Sequence, residues 1–369
     1  MSTPFRPNVL RMSPYSPGKP IDEVKRELGL TEVVKLASNE NPLGPSPKAI
    51  AAVQAAAAQM HLYPDAAAYD LRRAIAEKFG LPASQILLGN GSDEIIHLLG
   101  QVFLGAEADE IIVGAPSFVR YDAAAQLADC GLVKVPLNAA LEHDLPAMAE
   151  AVTENTKLLW IANPNNPTGT IVRMEALDRL FAVLPSHVTV VLDEAYCEFA
   201  ADEPGYVTSL DYVKAGANVI GLRTMSKAYG LAGIRLGFGF ASAATVDAVD
   251  RAREPFNCNS LAQVAAIAAL GDEDHLRRSV ESNAAGRRQL EAVLREVGGK
   301  PVETFANFVF ADMGQPAQPI FEALLREGVI VRSGHVLGMP TYLRVSIGTH
   351  DENEKFAHAL RAVMTRVTV

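Results

Sequence analysis

A lysine stands among small hydroxyls and glycines in Thr224-Met225-Ser226-Lys227-Ala228-Tyr229-Gly230-Leu231-Ala232-Gly233-Ile234-Arg235. The apolar run Val219-Ile220-Gly221-Leu222 precedes it, so Lys227 is expected in the turn that follows a strand. Two further polar islands lie upstream: Asn163-Pro164-Asn165-Asn166-Pro167-Thr168-Gly169 and Asp193-Glu194-Ala195-Tyr196. Hydroxyls with an arginine suit a phosphate, an aspartate suits a protonated ring nitrogen, and a lysine amine can form a Schiff base. Those are the demands of pyridoxal phosphate (PLP).

The order of the islands resembles the fold-type I, aspartate aminotransferase-like PLP enzymes and, within them, the histidinol-phosphate aminotransferases. The resemblance covers almost the whole chain. It begins at Tyr15-Ser16-Pro17-Gly18-Lys19-Pro20 and Leu36-Ala37-Ser38-Asn39-Glu40-Asn41-Pro42-Leu43-Gly44. It continues through Tyr63-Pro64-Asp65 and the three islands, and ends at Val331-Arg332 and Leu343-Arg344-Val345-Ser346. The ordered set carries it rather than any one tetrapeptide, with Asp193 34 residues before Lys227 and Arg235 eight after it.

The resemblance implies an α/β chain of PLP transferase fold type I. A large domain would hold a mostly parallel seven-stranded sheet, beside a smaller α+β domain. It implies PLP-dependent transamination of L-histidinol phosphate with 2-oxoglutarate to imidazole-acetol phosphate and glutamate, in histidine biosynthesis. An aromatic amino acid aminotransferase and a phosphoamino-acid decarboxylase on the same scaffold stay open as alternatives. A PLP-binding regulatory domain is an alternative of another class, but no DNA-binding module accompanies this chain.

Residue by residue, the resemblance makes Lys227 the group that holds the cofactor and carries a proton between the substrate's Cα and the cofactor's C4′. Asp193 ends the apolar run Val188-Thr189-Val190-Val191-Leu192 and would by itself be a turn or N-cap aspartate; the resemblance pairs it with the pyridine nitrogen. Tyr196 and Asn166 correspond to donors to the cofactor's phenolic oxygen. Gly91-Ser92-Asp93 opens a helix, so the backbone N–H groups of Ser92 and Asp93 can bind phosphate. Asp93 and Glu94 are then ordinary acids of a first helical turn. Thr224, Ser226 and Arg235 complete the phosphate cup. Phe118 takes the place of a ring-stacking aromatic that is often tyrosine; it can stack but cannot hydrogen-bond. Tyr63 corresponds to a tyrosine that reaches the neighbouring subunit's cofactor phosphate, which implies a homodimer with shared active sites. Tyr15, Asn39, Arg332 and Arg344 are the implied substrate-binding residues, with Arg344 as the carboxylate clamp.

Composition narrows the field from another side. The 369 residues are 49% hydrophobic and 21% charged, ordinary for a globular protein with a large core. A net charge of −10 speaks against nucleic acid or an anionic membrane as partner. An anionic substrate then needs a local basic pocket. Cys130, Cys197 and Cys258 form no CxxC pair, which suggests a reducing compartment. The N-terminus shows no apolar signal region and no run of 18 apolar residues exists, so a cytoplasmic protein without a membrane span is expected. The histidines lack metal-ligand spacing, and no metal is expected. No GxSxG elbow supports Ser-His-Asp catalysis. The glycines at 230, 233, 237 and 239 do not make a dinucleotide fingerprint, because position 242 is Ser.

The elements that must position these residues are legible as periodicities. Residues 1–44 are proline-rich and read as an arm lying over the body, sharing in the small domain. Ser46-Pro47 supplies an N-cap and first-turn proline for a helix to Met60. A second helix runs from Tyr69 to Phe79 and ends at Gly80. Strands are expected at Ile86–Leu88, Glu110–Val113, Leu132–Val135, Lys157–Ala162, Val188–Leu192, Val219–Leu222 and Leu236–Phe240, alternating with helices. One of those helices follows Gly91 and shows Ile95, Leu98, Leu99 and Val102 on one face. Near-continuous apolar strands indicate a sheet covered on both faces. The large domain is expected over 45–250 and the small domain over 251–369, with strands near Phe308–Phe310 and Leu343–Ile347.

Overall fold

A computed structural model describes residues 4–14 and 18–367. The N-terminal arm holds two helices, Pro7–Arg11 and Ile21–Leu28, where irregular chain was expected. Proline explains the difference: its fixed φ suits the first turn of a helix, and Pro7 and Pro20 stand at the two starts. The arm then contributes a short strand, β1 (Val34–Lys35), parallel to Val329–Ile330 near the other end of the chain.

Ser46 caps the helix Pro47–Ala56, its hydroxyl accepting from the amides of Lys48 and Ala49. The α-helix stops at Ala56 and passes into a 3₁₀ turn, Ala57–Gln59, rather than continuing to Met60. The helix Tyr69–Phe79 ends at Gly80, whose φ of 65° is the left-handed cap that glycine supplies without strain.

Seven strands form the main sheet: β2 (Ile86–Gly89), β3 (Glu110–Ala115), β4 (Gly131–Pro136), β5 (Thr156–Ala162), β6 (Thr189–Asp193), β7 (Val219–Thr224) and β8 (Gly237–Phe240). Their order is β2-β8-β7-β6-β5-β3-β4, and only β8 runs antiparallel to its neighbours. The mostly parallel seven-stranded sheet expected from the sequence is therefore present. Every residue of β2, β6, β7 and β8 is buried, which is why these strands read as unbroken apolar runs. One face packs against Pro47–Ala56, Tyr69–Phe79 and Ser260–Leu270. The other packs against Ser92–Phe103, Arg120–Ala128 and Ala243–Ala252. Ile95, Leu98 and Leu99 of the Ser92 helix point into that second layer.

A second apolar core lies C-terminally, around an antiparallel sheet of β9 (Lys300–Pro301), β10 (Phe308–Asp312), β12 (Arg332–Ser333) and β13 (Tyr342–Ser346) in the order β12-β13-β10-β9, while β11 (Val329–Ile330) pairs with β1. The helices Glu273–Glu296, Ala317–Arg326 and His350–Val367 pack around this core, and Val34 and Leu36 of the arm join it. The helix Ser260–Leu270 packs with the large sheet rather than with this core, because its alanine-rich body allows close approach to the equally alanine-rich Pro47–Ala56. We infer that the seam between the two units falls in the 24-residue helix Glu273–Glu296 rather than at residue 250. Among the described residues, no helix is long and apolar enough to cross a membrane.

Candidate active site

The carboxyl ends of β5, β6 and β7 lie side by side, with Ala162 opposite Asp193 and Asp193 opposite Leu222. In open α/β sheets the crevice past such ends is where ligands bind. Chain ends and turns here deliver the polar islands into one pocket. It is lined by Asn39, Ser92, Asp93, Phe118, Asn166, Asp193, Tyr196, Thr224, Ser226, Lys227, Arg235, Arg332 and Arg344, among others. Thirteen of the fifteen residues singled out above thus come together.

Lys227 follows β7 by three residues. Its turn closes through Gly230, at φ 69°, where a Cβ would lie 2.1 Å from the carbonyl oxygen of Gly44. Only glycine permits that contact, and it pins the lysine turn to the arm. The Lys227 Nζ donates to the carbonyl of Ser38 (3.2 Å) and lies 5.7 Å from the ring centre of Tyr196. Burial, and then the positive charge of Arg344, push its pKa down from 10.5 to about 8.

Asp193 ends β6 and is 4% exposed. Its Oδ2 accepts from the hydroxyl of Tyr121 at 2.7 Å and its Oδ1 from the amide of Ala195 at 3.2 Å. Burial pushes its pKa up to about 6, against the pull of those two donors. Tyr121 also lines the pocket; its signal in the sequence is an aromatic three residues after Phe118.

Tyr196 accepts from Asn39 Nδ2 at 3.0 Å, so its own phenolic proton remains to be donated. Burial holds that proton more tightly than usual. Asn39 is itself fixed by Ser346, whose hydroxyl accepts from the Asn39 amide (2.8 Å) and donates to Asn39 Oδ1 (2.7 Å). Asn166 Oδ1 accepts from Arg344 Nη1 at 2.6 Å, which orients the amide with Nδ2 as its donor.

At the far end of the pocket the helix Ser92–Phe103 begins. A Cβ on Gly237 of β8 would come 2.2 Å from the Ser92 nitrogen, so glycine there lets the helix start drop against the sheet. A Cβ on Gly91, at φ 81°, would meet Arg235 Nη2 at 2.5 Å. The guanidinium therefore occupies the space over the helix N-terminus. Asp93 stands 3.8 Å from Arg235 and 3.7 Å from Arg120, and Glu94 turns away to accept from Asn90 N and Asn257 Nδ2. Thr224 and Ser226 are buried at the same end.

This arrangement fits PLP. An amine, a carboxylate and an anion cradle of helix N-terminus, hydroxyls and guanidinium line one pocket, and the small residues Gly91 and Gly237 allow the close approach. Phe118 lies in the pocket wall, edge-on to Tyr121 (5.7 Å between centroids, 82° between planes).

Arg344 is buried, donating to Ala37 O at 2.8 Å as well as to Asn166, and lies over the ring of Phe308. Arg332 reaches the same pocket from the adjacent strand. Two of the expected residues are not among those lining this pocket. Tyr63, expected at a neighbouring subunit's site and not at its own chain's, is 83% exposed and stacks on Phe256 at 4.8 Å. Tyr15 lies outside the described residues.

Residues 31–360 match the family model for aminotransferase class I and II. The chain is 49% identical to the histidinol-phosphate aminotransferase of Moorella thermoacetica, over 97% of this chain and 92% of that one. It is 46% identical to histidinol-phosphate aminotransferase 2 of Pseudomonas fluorescens, over 98% and 97% of the two chains. The crystal structure of histidinol-phosphate aminotransferase from Sinorhizobium meliloti in complex with pyridoxal-5'-phosphate superposes with a TM-score of 0.91 at 28% identity, covering 100% of this chain and 99% of that one.

Proposed function

The chain belongs to the class I and II aminotransferases, and from that premise we propose that it transfers the amino group of L-histidinol phosphate to 2-oxoglutarate. The products are imidazole-acetol phosphate and glutamate, and the place in metabolism is histidine biosynthesis. The observation that carries the substrate is the pair Arg332 and Arg344, paired in register on neighbouring strands and both lining the Lys227 pocket. Histidinol phosphate has no α-carboxylate, and its phosphate offers more acceptor oxygens than a carboxylate does. Two guanidiniums suit a dianionic phosphate, and the same pair can take the carboxylate of glutamate in the other half-reaction.

PLP, when bound, supplies an electron sink for the pair released as the substrate's Cα proton leaves. Lys227 takes that proton at Nζ and returns it. Burial and the neighbouring Arg344 lower the pKa of that amine, the direction a general base requires. Asp193 holds negative charge at the ring-nitrogen end. Tyr196 and Asn166 present donors to the phenolic oxygen. The amides of Ser92 and Asp93, the hydroxyls of Thr224 and Ser226 and the Arg235 guanidinium would hold the phosphate, and Phe118 would stack on the ring. Asn39 positions Tyr196, and Arg344 and Arg332 hold the substrate's anion.

The protein acts as a cytoplasmic homodimer with shared sites. Support comes from the exposed apolar group Met60, Leu62, Tyr63 and Phe256, a patch of the kind that a second subunit covers. The test of substrate is the ratio of kcat/KM for histidinol phosphate and phenylalanine as amino donors to 2-oxoglutarate. Histidinol phosphate should lead by at least about tenfold, one charged hydrogen bond's worth. A lead for phenylalanine would replace this reading with an aromatic amino acid aminotransferase.

A further inference from the structure

Asp193 is a buried carboxylate whose neighbours are mostly unfavourable to its charge. Burial acts most strongly on it, and the carboxylates of Asp93 and Glu194 repel it. Two donors oppose them: the Tyr121 hydroxyl at 2.7 Å and, more weakly placed, the Ala195 amide at 3.2 Å. The Tyr121 bond is the principal support of the ionised form.

The phenol is also held still. Tyr121 is 1% exposed, in the first turn of the helix Arg120–Ala128. Its ring stacks on Trp160 of β5 with centroids 4.7 Å apart and planes 19° from parallel. Phe118 meets its edge from the other side. With the ring clamped, the hydroxyl has one place to be, and the carboxylate is gripped at both oxygens. A phenol suits this position chemically. A lysine or arginine would spend the carboxylate's charge in an ion pair, whereas a phenol lends a dipole and leaves the charge to act on a ring nitrogen.

We infer that Tyr121 is the positioning residue that keeps Asp193 ionised and oriented toward the cofactor's ring nitrogen, an inference that rests on the PLP-dependent reading above. The phenol acts through Asp193 and takes no proton from the substrate. Tyr121→Phe removes one oxygen and keeps the stacked ring, so the fold and the wall of the pocket are retained.

The experiment is a double-mutant cycle on full-length protein with Tyr121→Phe, Asp193→Asn and both together. PLP dissociation constants are measured on the apoproteins, alongside kcat, KM for histidinol phosphate and the thermal midpoint. Tyr121→Phe alone should weaken PLP about tenfold and lower kcat about tenfold, with KM within about twofold. In the Asp193→Asn background the same change should alter PLP affinity less than about twofold, because the partner carboxylate is already gone. An equal loss in both backgrounds overturns the inference, since a purely structural tyrosine would act regardless of Asp193. Unchanged PLP affinity in the single variant also overturns it. Failure of the wild-type protein to bind PLP would instead remove the reading on which the inference rests.

Discussion

Arg332 and Arg344 are partners across the antiparallel β12–β13 ladder and line one pocket. Two guanidiniums side by side in one pocket suit an anion that both can hold. Arg344 also clasps Asn166 and the Ala37 carbonyl, whereas Arg332 comes from the strand at the edge of the sheet. Arg344→Ala should damage turnover with histidinol phosphate and glutamate alike. Arg332→Ala should weaken histidinol phosphate more than phenylalanine, by about 1.5–3 kcal/mol in kcat/KM. Steady-state kinetics on both donors decides it, and an equal loss for both would reject the phosphate role.

Lys227→Ala should abolish turnover while PLP still binds noncovalently. Borohydride reduction of the wild-type holoenzyme followed by peptide mapping should find the pyridoxyl group on Lys227. An adduct on another lysine would overturn the assignment.

The depressed pKa of Lys227 also predicts a pH-dependent stability. A half-buried amine whose pKa falls from 10.5 to about 8 penalises the folded apoprotein most below pH 8, where it must be charged, and not at all above 10.5. Lys227→Met should therefore stabilise the apoprotein at pH 7, by about 1–2 kcal/mol after allowing for partial exposure. That advantage should shrink as the pH rises from 8 towards 10.5. Thermal midpoints of the two apoproteins across that range measure it, and an advantage constant with pH would refute the titration.

Asp193→Ala should cost far more activity than cofactor affinity. One charged hydrogen bond is worth about 1.5–3 kcal/mol of binding, but the ring nitrogen would lose the charge that keeps it protonated. We expect kcat to fall by about a thousandfold, roughly 4 kcal/mol of barrier. Turnover restored by saturating PLP would show that the carboxylate serves binding only.

Tyr63 lies on the outer surface, away from the pocket of its own chain. If it completes a neighbour's site, mixing inactive Tyr63→Ala and Lys227→Ala proteins should regenerate sites with both residues intact. Random exchange within a two-fold dimer would restore about a quarter of wild-type sites. No recovered activity after verified subunit exchange would place Tyr63 outside the site.

What the sequence determined by itself was local. Strands β2, β6 and β7 announce themselves as apolar runs because both faces of each are covered, whereas the edge strand β4 is largely exposed. The polar islands that follow them are legible because a strand end leaves its next residues in the crevice. Ser46 and Gly80 mark helix ends through capping rules that need only neighbouring residues. The tertiary structure alone decided the pairings across long separations. Tyr121 meets Asp193 72 residues away only because the Arg120 helix is rotated to stack that ring on Trp160. Arg344 meets Asn166 across 178 residues only because the C-terminal sheet docks over the mouth of the pocket. The helix Ser260–Leu270 chose the large sheet over the adjacent C-terminal core through packing of small side chains that no periodicity encodes. Strand and cap signals are short-range backbone effects, whereas a side chain's partner is set by how whole elements rotate and pack, and that sum is not written in any one segment.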